Sequence, residues 1–256
     1  MELQLHPVAT VKQARARILE LTGLKRGLTQ VRWWLRTCGL KRRKVGMVPA
    51  KADPKKQAIY LAQKMEPRLQ EAQTGQRLVY FVDAAHFVLQ PFLGFLWSAA
   101  RVFIKAPSGR QRLNVLGALE VVSHRLITLS NETYITAASV CELLRLIAAE
   151  GAGRPVTIFL DNARYQHCAL VENLAHELNL ELAFLPSYSP NLNLIERLWK
   201  FVKKQCLYSE YYPDFAAFKT AILQCLGQTH QRHKADLDTL LTLNFQTFPE
   251  AQSMAA

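Results

Sequence analysis

The chain has 256 residues, half of them apolar, enough for a sizeable core in one main domain with a smaller one beside it. Its 32 Lys/Arg against 20 Asp/Glu give a formal charge of +12, which points to a polyanionic partner. No apolar stretch reaches membrane-spanning length, Met1–Pro7 lacks the build of a secretion signal, and no Gly-rich loop ends in Gly-Lys-Ser/Thr, so a membrane protein, an exported protein and a nucleotide-driven enzyme are set aside.

The charge is uneven. Residues 1–76 hold sixteen Lys/Arg against five Asp/Glu, whereas residues 77–256 hold sixteen against fifteen. A phosphate backbone would therefore meet mainly the N-terminal segment, through counterion release; a solvated charged face is the plainer alternative. Val11 to Leu21 fits a short helix with Ala14, Ile18 and Leu21 on one stripe and Gly23 as its stop. Thr29 then caps a second helix in which Val31, Trp34, Leu35 and Cys38 share a face, and Gly39 ends it. Two short helices around a Gly-containing turn predict a helix-turn-helix whose outward residues Gln30, Arg32, Trp33 and Arg36 would meet a major groove. Lys41-Arg42-Arg43-Lys44, followed by Gly46, Pro49 and Lys51, reads as a basic arm tracking phosphates or as a solvated linker. Asp53-Pro54 starts a connecting helix that runs to about Gln73 and is bent or broken before Pro67.

From Arg77 the texture changes to strands. Arg77 to Asp83, a segment around His86 to Leu89, Arg101 to Lys105, Leu113 to Val122 and Arg125 to Leu129 are β-rich, with hairpin-like punctuation that includes Pro107-Ser108-Gly109. Helices are expected over Ala137 to Ala149, Arg164 to Leu178 and Leu192 to Cys206, with strands at Val156 to Leu160 and Leu180 to Leu185 between them. Antiparallel strands followed by alternating strands and helices predict an α/β fold, a mixed sheet covered by helices. Pro213 to Leu226 adds an amphipathic helix whose Phe215, Phe218, Ile222, Cys225 and Leu226 would cover their own sheet or meet a second protomer.

Three carboxylates stand out: Asp83 closing Leu78-Val79-Tyr80-Phe81-Val82, Asp161 closing Val156-Thr157-Ile158-Phe159-Leu160, and Glu196 at a helix start. Each has a plain alternative. Asp83 could be a turn residue, Asp161-Asn162 could cap the following helix, and Asn193-Leu194-Ile195-Glu196 has the spacing of a capping box. Jointly they suggest an all-oxygen site for hard divalent cations at the carboxyl ends of strands, able to run phosphoryl transfer on DNA. Helical spacing places Lys200 and Lys203 on the face of Glu196, which suits a nearby phosphate but also fits a Glu-to-Lys pair four apart. His86 and His167 are left outside the metal set, because such ions prefer carboxylate oxygens.

Asp161-Asn162-Ala163-Arg164, the run from Leu185-Pro186-Ser187-Tyr188-Ser189-Pro190-Asn191 to Glu196-Arg197-Leu198-Trp199, and the 34 residues between Asp161 and Glu196 together resemble the DDE transposases of the mariner superfamily, bacterial insertion-sequence branch. The resemblance covers roughly residues 77–207 and, more loosely, the N-terminal segment. It implies an RNase H-like catalytic fold with Asp83, Asp161 and Glu196 as an acidic triad holding two Mg²⁺ or Mn²⁺ ions. It also implies recognition of terminal inverted repeats, cut-and-paste movement into target DNA at TA, and a homodimer or higher assembly on double-stranded DNA. Leu194 stands where the family commonly has proline, Ala84 where an acidic residue is frequent, and one helix-turn-helix where relatives often carry two, as in a shortened copy.

The expected organisation is a helix-turn-helix or winged-helix-like DNA-binding segment over 1–52, a connecting helix over 53–76, the RNase H-like domain over 77–210 and a helical segment over 211–256. DNA contacts are assigned to Arg32, Trp33, Arg36, Lys41, Arg42, Arg43, Lys44, Lys200 and Lys203. The cysteines at 38, 141, 168, 206 and 225 are too scattered for a zinc site or a dense disulfide framework, so a reducing compartment is expected, cytoplasmic and nucleoid-associated. No membrane and no nucleotide cofactor are expected. Two other functions stay open: a hydrolytic nuclease of the same fold, which would not need the basic helix-turn-helix, and a non-catalytic transposase-derived DNA-binding protein, which would gain nothing from acidic groups facing phosphates.

Overall fold

The structure is a computed structural model that describes residues 2–43, 49–90, 97–105, 111–151, 153–208 and 210–248, and it divides between Val48 and Pro49 into two compact units. In the N-terminal unit, α1 (Glu2–Leu5), α2 (Val11–Thr22) and α3 (Leu28–Thr37) enclose a small core of Leu3, Ala14 and Val31. The start of α2 is fixed by a capping box: Thr10 Oγ1 accepts from Gln13 N at 3.1 Å, and Gln13 Oε1 accepts from Thr10 N at 3.0 Å. Gly23, at φ +69°, stops α2 as expected. The cap of α3 is Gly27 and not Thr29, which falls inside the first turn because Gly27 already takes the extended capping conformation. Arg17 ties α2 to α1 through Glu2 at 2.7 Å.

In the second unit Asp53 caps α4 (Pro54–Tyr60), its carboxylate accepting from Lys56 N at 3.1 Å. A π-turn over Leu61–Met65 then leads into α5 (Glu66–Gln73). The wide turn sits just before Pro67, whose missing N–H and bulky ring disturb the preceding α-helical ladder, so the expected bend takes the form of one inserted residue.

Five strands follow in the spatial order β3-β2-β1-β4-β5: β1 (Leu78–Val88), β2 (Arg112–Glu120), β3 (Leu126–Asn131), β4 (Val156–Leu160) and β5 (Leu180–Phe184). The first three pair antiparallel, and β4 and β5 run parallel to β1, which gives the predicted mixed sheet. Alternation along β1 sorts two cores. Val79, Phe81, Ala85 and Phe87 join Phe159, Trp199 and the helices α8 (Ile195–Cys206) and α9 (Phe215–Arg232) on one face. Tyr80, Val82 and Ile158 join α6 (Ala137–Glu150) and α7 (Ala169–Glu177) on the other. No described helix is long and apolar enough to cross a membrane.

Several expected elements are redrawn. The two segments read at 77–83 and 86–89 are one strand, because Asp83 continues the antiparallel ladder with β2. Arg101–Lys105 is not a strand, and Pro107-Ser108-Gly109 lies outside the described residues. The helix expected from Arg164 begins only at Ala169, and α9 reaches Arg232 and is followed by α10 (Lys234–Leu240). Phe218, Ile222 and Leu226 of α9 are buried against their own sheet.

Candidate active site

Parallel pairing of β1 with β4 runs from Leu78–Val156 to Phe81–Phe159, so both strands end toward the same edge. Asp161 follows β4 directly, and Asp83 lies two residues beyond the last parallel partner while still paired to Gly117 of β2. It is not a turn residue. Asp83 shares the β1 face of Phe81, Ala85 and Phe87, which turns its carboxylate toward α8, where Trp199 Nε1 donates to Asp83 Oδ2 at 3.1 Å. The indole reaches it across Gly117. A Cβ at that position would lie 2.6 Å from Trp199 Cη2 and 3.1 Å from Ile195 Cδ1.

Glu196 stands in the first turn of α8, and the loop before it is stitched to both acidic strands. Leu185 N donates to Leu160 O at 2.9 Å, and Asn162 Nδ2 donates to Leu185 O. At the other end of the loop, buried Asn193 donates its Nδ2 to Val82 O at 3.2 Å. The capping box is absent: α8 has no side-chain cap, and Asn193 Oδ1 has no hydrogen-bond partner. Nor does Asp161 cap a helix, since α7 begins eight residues later.

The electrostatics tie the three together. Burial, then the charges of Glu196 and Asp161, push the Asp83 carboxyl up to about 7 against the Ala84 and Trp199 N–H donors. Asp161 is raised by burial and by Glu196, opposed by a hydrogen bond from Asn193. The Tyr165 phenol is raised by burial and then by Asp83 and Asp161, which places it beside the same cluster. Among the described ion pairs none engages any of the three carboxylates, so the Glu196–Lys200 pairing is not formed. Asp83 feels the charges of Glu196 and Asp161, and Asp161 that of Glu196, but no three acidic, His or Cys groups among the described residues form a closed ligand set. Half-buried, uncompensated, all-oxygen donors fit hard divalent cations.

The other expected contacts distribute differently. Lys200 is exposed on α8, and the ammonium of Lys203 lies 5.8 Å from the centre of the Phe87 ring. Arg32, Trp33 and Arg36 are exposed on α3, Lys41, Arg42 and Arg43 are exposed after it, and Lys44 lies outside the described residues. His86 sits at odd spacing from Asp83 and so projects from the opposite sheet face, with Nδ1 2.7 Å from Asn114 Oδ1. His167 stacks on Phe184 at 4.1 Å and pairs with Glu172 at 3.2 Å. Trp199 as a donor, Asn193 as a staple and Gly117 as a gap escape a linear reading, because their partners are tens of residues away, and Tyr165 is joined to the cluster by Asp83 as well as by nearby Asp161.

A profile of the DDE superfamily endonucleases matches residues 78–219. A Shigella sonnei protein described as the insertion element IS630 uncharacterized 39 kDa protein is 24% identical over 187 residues, 72% of this chain and 54% of that protein. The chain thus spans about half the length of this curated relative. The Mos1 mariner paired end complex with Mn superposes with a TM-score of 0.60 at 14% identity, over 93% of this chain and 74% of that one. The Mos1 strand transfer complex gives 0.54 at 13% identity, over 95% and 80%. At these identities the likeness is one of fold, the RNase H-like sheet flanked by helices.

Proposed function

This chain belongs to the DDE superfamily of endonucleases, and from that premise we propose that it is a DNA transposase that cuts the ends of a mobile element and joins them to target DNA, with Asp83, Asp161 and Glu196 as its acidic triad. The observation that carries this reading is that half-buried Asp83 and Asp161, on neighbouring parallel strands, both lie within the field of Glu196, with no ion pair to any of the three among the described residues. The three would hold two divalent ions, Mg²⁺ or Mn²⁺, as solved relatives crystallised with Mn and with Mg suggest. When bound, such ions activate a water or a 3′-hydroxyl and neutralise charge at the phosphorus under attack.

The chain's own groups do the rest. Trp199 Nε1 donates to Asp83 Oδ2 and orients that carboxylate, and Asn193 fixes the start of α8 and with it Glu196. Lys200 and Lys203 would meet phosphates beside the three carboxylates. Residues 1–52, with Arg32, Trp33, Arg36 and the basic run from Lys41, would hold terminal inverted repeats, joined through 53–76 to a catalytic domain over 77–210 and the helices of 211–256. Two ends must be cut and joined, so a dimer or larger assembly on DNA is expected, with insertion at TA.

The test is cleavage by the full chain with Mg²⁺. Asp83→Asn, Asp161→Asn and Glu196→Gln should each abolish cutting and retain DNA binding, non-additively, as the three act together. A single variant with near-full activity would remove that residue from the triad. If hydrolysed ends appear but joined products in TA-containing plasmid never do, the protein is a nuclease of the same fold.

A further inference from the structure

Building on the reading of the carboxylate cluster as a DNA-cutting site, we propose that Tyr188 is a stacking platform for an unpaired nucleobase at a DNA end, with Lys51 placed to meet the adjoining phosphate.

The backbone of Tyr188 is held at φ +58°, in the left-handed region that bulky side chains avoid. Among the described residues the other non-glycine ones there are His124, in the turn between β2 and β3, and Asn179, between α7 and β5. Tyr188 is different: its conformation is imposed from below. Gln57 of α4, wholly buried, donates Nε2 to Tyr188 O at 3.4 Å and accepts from Asn191 Nδ2 at 3.0 Å. Asn191 also donates to Gln246 O at 2.7 Å, and buried Ser189 donates its Oγ to Ser187 O at 3.4 Å. A chain segment secured at this many points can keep an unfavourable backbone angle.

Core packing does not repay that strain. The Tyr188 ring is 51% exposed and belongs to neither hydrophobic core, and its neighbour is the Lys51 ammonium, 5.6 Å from the ring centre. The position is equally specific. The loop is tied to Leu160 and Asn162 at Leu185 and to Val82 at Asn193, so it spans the gap between the Asp161 and Asp83 strands. Tyr188, three residues after Leu185, stays within about 11 Å of it. A presented aromatic face edged by an ammonium fits a π-surface followed by a phosphate, and every nucleobase offers such a face. Bases inside a duplex are covered by their neighbours, so the occupant is a frayed or overhanging base of the kind that cutting leaves at an end.

The test uses the full chain, Ca²⁺ to hold back cleavage, and two duplexes that carry 2-aminopurine either in a two-nucleotide overhang or paired within a blunt duplex. The protein should quench the overhanging fluorophore and prefer the overhang duplex. Tyr188→Gly should reduce that preference by about 5- to 150-fold, the range one stacked base contributes, while Tyr188→Phe should keep it. Because glycine relieves the left-handed strain, Tyr188→Gly should also raise the thermal midpoint. The proposal is overturned if the glycine variant keeps quenching and preference, if phenylalanine loses as much as glycine, or if the glycine variant melts lower, which would make the ring structural. It is equally overturned if loss of the ring leaves DNA preference intact but changes the oligomeric state by sedimentation, the mark of a protein-docking surface. Failure of the transposase reading would show separately, as cleavage that survives the triad substitutions.

Discussion

Gly117 is a residue whose importance lies in the atom it lacks. A methyl group there would meet the rigid indole of Trp199 at 2.6 Å, too close for either side to absorb without moving α8. Gly117→Ala should lower stability by about 1–3 kcal/mol and cleavage by at least tenfold, and adding Trp199→Phe should restore the melting temperature but not the rate, because phenylalanine cannot donate to Asp83. Recovery of both would show that only space matters. Asp83 makes a second prediction. Its ordinary value of 3.8 is raised to about 7 in the fold, so the fold favours the neutral acid: that contribution is complete below pH 3.8 and lost as pH rises through 7. In cation-free buffer Asp83→Asn should therefore differ least from the native protein at pH 4 and exceed it above pH 7 by about 2–4 kcal/mol in urea melts. Equal stability at pH 8 would refute the cost assigned to burying Asp83 and clustering it with Glu196 and Asp161. The three acids are legible in the chain order because two of them end apolar runs and the third opens an amphipathic helix. Gly117 and Asn193 are not, since one is defined by a ring 82 residues away and the other by a carbonyl 111 residues away.

Among the elements, β4 is legible to the residue, because a five-residue apolar run bounded by Pro155 and Asp161 has few other uses. The extension of β1 past Asp83 is not, because an acid in mid-strand looks like an end until the Trp199 donor is known. Likewise Arg101–Lys105 has β-forming composition but no ladder partner among the described residues. Of the helices on either side of the π-turn, α4 starts at Pro54, where Asp53-Pro54 places it, and α5 starts at Glu66, yet their anchoring is visible only in space. Arg68 of α5 donates to Glu181 of β5, which also accepts from Arg77 at 2.9 Å and from Thr157 at 2.6 Å. Burial raises the Glu181 carboxyl, but the hydrogen bonds from Arg68 and Thr157 and the charges of both arginines outweigh it and hold it below its ordinary 4.5. A depressed acid contributes stability above its unfolded value and loses it as pH falls through the folded one. Glu181→Gln should therefore melt lower than the native protein throughout pH 5–8, with the gap closing in more acidic buffer; a gap that persists at pH 2.5 would point to packing instead. The effect should be modest, since the pair is partly exposed.

For the molecule as a whole, charge separates the work. Nearly all the net charge lies in residues 1–76, while residues 77–256 are close to neutral. Replacing Lys41, Arg42 and Arg43 with alanine in the full chain should weaken binding to duplexes of any sequence, and should flatten the dependence of log K on log salt by about 0.9 for each phosphate no longer neutralised. An unchanged slope would make the run a linker. The two units divide between Val48 and Pro49, whereas the charge is counted across residue 76, and the C-terminal helices pack onto the same unit as the sheet, an arrangement that depends on which face α9 buries.

The π-turn at Leu61–Met65 bears on how this protein can vary in length. One inserted residue rotates everything before it by about 100° relative to an unbroken α-helix, so Gln57 and the anchored α5 are in phase only while that extra residue is present. Deleting Ala62 would let a smooth helix form and turn Gln57 away from the loop it supports. A shortening that looks harmless in a helix would then release Tyr188 and Asn191, whereas compensating insertions elsewhere in 61–65 should restore them. Homologous chains should accordingly gain or lose residues freely in surface loops but keep the residue count between Gln57 and Leu69.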